Sequence, residues 1–269
     1  MKKKSLLIGM AALIFPMTMM GQYTIYPVPH TQTAGTGTVS FTNIVNVVCD
    51  NGIDEATRNR VKDIFAAHNV TVTFSDAASS TESNVYLGVN GANGQGNAMA
   101  TQLGLSTDVL TKEGKFDRHI LSLADGGNGT AQLLVLGEPT DAAFFGLASL
   151  EQMLDNGTEG LATVTINDYA DLKERGVIEG FYGKPYAGEV RQDLLRFMMR
   201  YKMNCYVYGP KSDYYHSGKW SEPYPTKLTD QQKKSGYVSQ QDLKDFTSVA
   251  HDTKVSVVWA IHPGNSLMY

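Results

Sequence analysis

The sequence is short of the features that mark the simplest functional classes. Among 269 residues there are two cysteines, Cys49 and Cys205, and six histidines. Neither cysteine has a Cys or His partner at zinc-binding spacing, which excludes an ordinary structural zinc site. The two thiols lie in apolar, strand-like runs in different halves of the chain and read as buried free thiols, not a bridge. Long hydrophobic runs are absent too. The apolar stretch at residues 6–15 has ten residues, where a membrane span takes about 20. A net charge of −4 and a pI near 5.9 give no reason to expect nucleic-acid binding. Composition (42% hydrophobic, 19% charged, mean hydropathy −0.23) excludes disorder, a collagen-like repeat and a multi-span membrane protein.

What is present divides into unequal parts. Lys2, Lys3 and Lys4, the short apolar run and the small Gly21 read as an export signal over residues 1–21, cleaved before Gln22. No cysteine follows that run, so a lipid anchor has no support. Residues 22–172 carry 6 Lys and Arg against 17 Asp and Glu, a net of −11. Residues 173–269 carry 14 against 10, a net of +4, and hold 15 of the 26 aromatics. Export predicts a periplasmic or secreted location.

Residues 22–172 read as an α+β domain. Short runs at 43–49, 70–74, 85–89, 119–123, 132–136 and 162–166 have strand character. Asp54 caps a helix carrying Val61, Ile64, Phe65 and His68 at helical spacing. Thr140 and Asp141 open a second helix with Phe144, Leu147, Ala148 and Leu154 on one side, ended by Asn156 and Gly157. The glycines from Gly91 to Gly96 lack the Lys-Ser/Thr of a phosphate loop, and this stretch is expected to be a surface loop with no helix starting in it. His30, His68 and His119 are isolated and read as solvent-facing or core residues. Nothing in this part points to catalysis.

Residues 173–269 alternate strand and helix. Strands are expected within 177–183, 203–211 and 254–264. One helix runs over 189–202, with Val190, Leu194, Phe197, Met198 and Tyr201 inward. A second starts at a capping box from Ser239 to Asp242 and carries Leu243, Phe246 and Val249. Alternating βα units with near-continuous apolar strands imply a parallel sheet. No dinucleotide fingerprint follows the first strand, which disfavours a doubly wound sheet. Each strand instead exits on a polar or aromatic signature, as at the functional end of a barrel. The fold class is therefore α/β: an α+β N-terminal domain followed by the first three βα units of a TIM (β/α)8 barrel. Trp259 sits mid-strand and is expected in the core, while Trp220 and Tyr224 lie on a loop and suit sugar stacking. Glu179 is expected to face the barrel interior or its bottom, His216 to pack within a loop, and His262 to make supporting hydrogen bonds.

Three ordered motifs carry a resemblance: Glu179-Gly-Phe-Tyr-Gly-Lys-Pro-Tyr186, Lys202-Met-Asn-Cys-Tyr-Val-Tyr-Gly-Pro-Lys-Ser-Asp-Tyr-Tyr-His216 and Trp259-Ala-Ile-His-Pro-Gly264. Together they resemble the catalytic domain of glycoside hydrolase family 84, the O-GlcNAcases and bacterial hyaluronidase-type β-N-acetylglucosaminidases. Residues 23–172 more loosely resemble the α/β domain preceding the barrel there and in bacterial hexosaminidases. The resemblance implies substrate-assisted, retaining hydrolysis of terminal β-linked N-acetylglucosamine from a glycan or glycoprotein, with no metal or cofactor. It places Gly180 where a backbone contacts the sugar, Lys211 where an ammonium bonds a ring hydroxyl, and Tyr182 along the acetamido pocket. The family's Lys-Asp-Asp-Pro is Lys211-Ser212-Asp213-Tyr214 here, and that segment is not the catalytic pair. The resemblance puts the acid/base pair of aspartates on a later strand, beyond Tyr269, and no Asp-Asp dipeptide occurs in the 269 residues. The chain alone is therefore expected to be an inactive amino-terminal portion. Two alternatives stay open: a non-catalytic carbohydrate-binding protein, and a family 20-type hexosaminidase with an Asp-Glu pair further on.

Overall fold

The computed structural model describes residues 23–260 apart from 92, 128, 139, 181–183, 211–212, 218 and 220. The expected export signal, Tyr182, Lys211, Trp220, His262 and Tyr269 lie outside the described residues. None of the described helices is long and apolar enough to cross a membrane.

Seven strands form one sheet: β1 (Thr31–Val39), β2 (Ile44–Cys49), β3 (Thr71–Phe74), β4 (Ser83–Val89), β5 (Phe116–Asp125), β6 (Ala131–Glu138) and β7 (Leu161–Ala170). Their order is β1-β7-β5-β6-β4-β2-β3. The pairs from β6 to β3 are parallel and those from β1 to β6 antiparallel. Strand β1, Thr- and Gly-rich and mostly exposed, has no apolar alternation to betray it and exists through its ladder to β7.

Both faces of the sheet are covered. Helices α1 (Glu55–Ala66) and α3 (Thr140–Met153) bring Val61, Ile64, Phe65, Leu147 and Leu150 against Val45, Val47, Leu121, Leu133 and Val135. Asp54 caps α1, accepting from the Thr57 N–H at 2.9 Å. On the opposite face, helix α2 (Gln95–Gln102) sets Met99 and Ala100 on Val48, Tyr86, Leu134 and Leu136. This helix corrects the loop expected at Gly91–Gly96. Gly96 packs so closely on β4 that a Cβ there would meet the Gly88 Cα at 2.6 Å. The glycine serves helix–strand contact, so a composition that reads as a loop is helical.

The second sheet holds β8 (Gly176–Glu179), β9 (Cys205–Tyr208) and β10 (Ser256–Trp259), parallel and adjacent in chain order. Helix α4 (Gly188–Arg200) links the first two. Between the last two come short α5 (Tyr214–Ser217), α6 (Asp230–Lys234) and α7 (Gln240–Asp252), the last opened by the expected Ser239/Asp242 capping box. Leu195, Met198, Phe246, Ala250, Tyr206 and Tyr208 form its core. The inward face of α4 differs from expectation. Arg191, Leu195 and Met198 are buried, whereas Val190 and Phe197 are about half exposed. The stripe centres on Arg191, an ionic residue that apolar periodicity passes over. The sheet face away from the helices leaves Ile178 and Val258 exposed. Both cysteines are free, Cys205 buried and Cys49 half-buried.

The charge imbalance finds its explanation where the two sheets' layers meet. Arg200 pairs with Glu151 at 3.0 Å and Asp155 at 2.7 Å. Arg60, buried on α1, reaches Glu151 and the Met199 carbonyl. Lys202 pairs with Asp168 at 2.7 Å and Arg175 with Asp117 at 2.5 Å, while Lys254 pairs with both Asp54 and Asp141.

Candidate functional site

Strand register brings the three sequence motifs level with one another. Glu179 pairs with Tyr208, and Tyr208 with Trp259, so Gly180, Gly209 and Ala260 leave the sheet side by side. The Ala260 N–H donates to the Tyr208 carbonyl at 2.9 Å, carrying the ladder one residue further. Gly180 is exposed, with nothing among the described residues within 4 Å of where a Cβ would point. Its backbone is accessible from the face that also bears Ile178, the geometry a close backbone contact needs. The aspartate pair expected beyond Tyr269 falls outside the described residues, and two carboxylates among the described residues, Glu179 and Asp213, bond side chains of these strands.

Beneath this edge the structure is polar and largely paired, with Arg191 Nη1 and His216 Nδ1 the buried nitrogens there that lack a hydrogen-bond partner among the described residues. Glu179, expected at the barrel interior or its bottom, is buried on the side of the sheet facing α4 and α7. Arg191 holds it in a two-point ion pair, Nε to Oε2 at 2.9 Å and Nη2 to Oε1 at 3.0 Å. The Tyr206 hydroxyl donates to Oε2 at 2.7 Å and the Tyr186 N–H to Oε1 at 2.8 Å. The guanidinium lies 5.0 Å from the Tyr208 ring centroid and 5.4 Å from that of Phe246. Burial alone would ease the proton off Arg191, but the Glu179 carboxylate outweighs it and holds the proton more tightly than usual. Glu179 is thus a structural anchor and offers no free oxygen for catalysis.

Asp213 forms a second buried centre. Tyr208 and Tyr224 both donate to its Oδ2, at 2.6 and 2.7 Å, and the Tyr215 N–H donates to Oδ1 at 3.2 Å. Burial, then the adjacent carboxylate, pushes both phenols well above their ordinary range. Both therefore act as hydroxyl donors that fix the loop. Sequence reading missed this network because Tyr224 arrives from a long loop, and only the Tyr208–Asp213 proximity along the chain hinted at it.

Trp259 is 40% exposed, which corrects its expected core placement. Its ring stacks on Tyr208 at 4.6 Å and 18° and forms the outer layer of an aromatic pile. His216 is buried edge-on to both rings, and its Nε2–H donates to the Ala260 carbonyl at 2.6 Å. The histidine therefore ties α5 to the end of β10, in keeping with a packing role. A groove of about 880 Å³ opens beside the β8 exit, between the segments around Tyr186 and Tyr237, with Lys233 and Lys234 on its wall. No cluster of three or more His, Cys, Asp or Glu suited to a metal occurs among the described residues.

Residues 22–169 match the family described as glycosyl hydrolase family 20, domain 2, and residues 175–269 match the family described as β-N-acetylglucosaminidase. The chain therefore belongs, through its first unit, to the family of glycosyl hydrolase family 20, domain 2, and its second unit is similar to the family 84 β-N-acetylglucosaminidases. Among individual relatives, Protein O-GlcNAcase of Rattus norvegicus is 33% identical over 94 residues, 35% of this chain and 9% of that protein. The solved structure of CpGH84D superposes with a TM-score of 0.75 at 33% identity, over 90% of this chain and 38% of the other. The chitobiase FjGH20 of Flavobacterium johnsoniae shares the fold at 12% identity and a TM-score of 0.56, over 87% of this chain and 34% of its own length. The chain spans a small part of the curated relatives and little over a third of these structures.

Proposed function

We propose that the protein carrying these residues is an exported β-N-acetylglucosaminidase that removes terminal β-linked N-acetylglucosamine with retention. Residues 173–269 then supply the first three βα units of a TIM barrel, and the exits of β8 and β9 bind the sugar. The Gly180 backbone contacts the ring, Lys211 donates to a ring hydroxyl, and Tyr182 lines the acetamido pocket. The substrate's own acetamido oxygen attacks the anomeric carbon as the glycosidic C–O bond breaks. An acid protonates the departing oxygen, and water then opens the oxazoline with net retention. That acid needs a protonated carboxyl beside a charged one. Neither Glu179 nor Asp213 has this setting, each being bound by basic or hydroxyl donors.

The observation that carries the reading is the level alignment of three motif-bearing strand ends on one parallel sheet. Incubating the full-length protein with a chromogenic β-N-acetylglucosaminide tests it, with release of the chromophore expected. A folded full-length protein without turnover would sink the reading. The 269 residues alone are expected to bind N-acetylglucosamine in calorimetry without hydrolysing the chromogenic substrate. Calorimetric binding by a full-length protein that never hydrolyses would instead favour a non-catalytic carbohydrate-binding role.

A further inference from the structure

We propose that the seven-stranded unit is an electrostatic base plate for the three parallel strands, each starting from a cation seated in an acidic socket of that unit. Arg175 directly precedes β8 and its guanidinium donates to Asp117. Lys202 comes three residues before β9 and donates to Asp168 at 2.7 Å and to the Ser149 hydroxyl at 2.9 Å. Lys254 comes two residues before β10 and donates to Asp54 and Asp141. The sockets come from α1's cap, α3, β5 and β7, all in the acidic part of the chain.

Backbone conformation supports this independently. Lys202 and Lys254 each follow a helix, α4 and α7, in the left-handed region at φ 59° and 53°. This is the position that glycine fills at helix ends, because a Cβ is disfavoured there. A lysine in both places keeps an unfavourable backbone geometry and gains a side chain that crosses to the other unit. Asp117 is left-handed as well, at φ 49°, where the register of β5 against β7 shifts. The remaining non-glycine positive-φ residues among those described are Asn69 and Asn93, and asparagine adopts this region readily. Aspartate tolerates it too, so the two positions with an unexpected residue type are the lysines, and both are socket contacts. A cavity of about 360 Å³ between the units is lined by Asp117, His119, Asp168, Arg175 and Lys202, and its carboxylates and cations already pair with each other.

The plate lies at the starts of the strands, whereas Gly180 and Ala260 lie at their ends. Four residues at roughly 3.3 Å each put about 13 Å between the two. The plate therefore fixes strand position without touching anything bound at the far end. Arg175, Lys202 and Lys254 are positioning residues in this sense.

Glycine replacement separates the proposal from a simple turn role, using the whole chain. If Lys254 is only a helix terminator, Lys254→Gly relieves backbone strain and raises the melting temperature. The base plate requires the reverse: a lower melting temperature, with amide exchange in β10 faster by about tenfold or more while β4 and β6 stay protected. Lys254→Arg should retain most of the protection. Pairing Arg175→Asp with Asp117→Arg should restore more of the β8 protection than either single change leaves. A raised melting temperature for Lys254→Gly, or equal exchange in all variants, would overturn the proposal.

Discussion

In the seven-stranded sheet, Leu133, Leu134, Val135 and Leu136 are completely buried, two on each face. In the three-stranded sheet, the largest fully buried side chains are Arg191, Tyr206 and Tyr208, with Glu179 beside them. The first interior is non-directional: its stability follows the apolar area removed from water, and no single contact decides it. The second depends on hydrogen-bond geometry, because its ionic and phenolic groups are tolerable only while each has a partner. One chain thus stabilises an apolar layer by burial and a polar layer by mutual satisfaction, and the two should respond differently to the same insult.

The largest response is expected at the ion pair. Arg191→Met leaves the Glu179 carboxylate buried without its cation and should cost about 3–5 kcal/mol in urea denaturation. Adding Glu179→Leu together with Tyr206→Phe, whose hydroxyl would otherwise lose its acceptor, should recover most of that loss, since an apolar set of similar volume needs no partner. A triple variant as unstable as the single would break the comparison. In the apolar layer, Leu133→Ala should cost about 2–5 kcal/mol, and no second substitution of a polar neighbour should recover it. Comparing the two recoveries in one denaturant series tests the distinction.

Acid should act chiefly at the junction. His119 is buried, and burial, then the nearby Lys202 charge, depress it to about 4 against a weaker pull from Asp168. The folded chain therefore holds the neutral ring. Stability is whole above the ordinary histidine range and falls as pH drops from about 6.5 toward about 4, by about 1.4 kcal/mol per pH unit. Burial raises Asp168, but Lys202, His119 and His30 together hold it down to about 2, so its share is lost only below about 4. Stability measured from pH 7 to 4 in wild type and His119→Gln should show the slope and its flattening. The smallest effect is expected at the solvent-facing Arg196–Asp193 pair on α4. Arg196→Ala should change stability by about 0.5 kcal/mol or less, and a larger loss would mean that surface charge also matters to the three-stranded layer.

Much of this arrangement was legible from local chemistry. Asp54 and Ser239 cap helices because their oxygens reach free N–H groups three residues on, a relation contained in a few residues. The β6 run reads as a strand because its alternate residues must all be apolar when both faces are covered. The partners of charged groups could not be read in this way. Arg191 and Glu179 are twelve residues apart, and Lys254 and Asp54 are 200 apart, and neither pairing leaves a periodic trace. The destination of the basic excess after residue 173 was equally hidden. In the structure, Arg175, Arg200, Lys202 and Lys254 face the acidic unit.

By itself the sequence determined most of the elements (β1 and α2 apart), the parallel order of βα units and the three motifs at their ends, because these follow from hydrogen-bonding periodicity and turn chemistry within short windows. Only the tertiary structure decided where the charges go. Ion pairs and buried phenols form between groups distant along the chain, and their strength depends on distance and burial that no local pattern encodes. The scarcity of cysteine has its counterpart there: the two units are joined by cations at the starts of the strands, with both thiols left free.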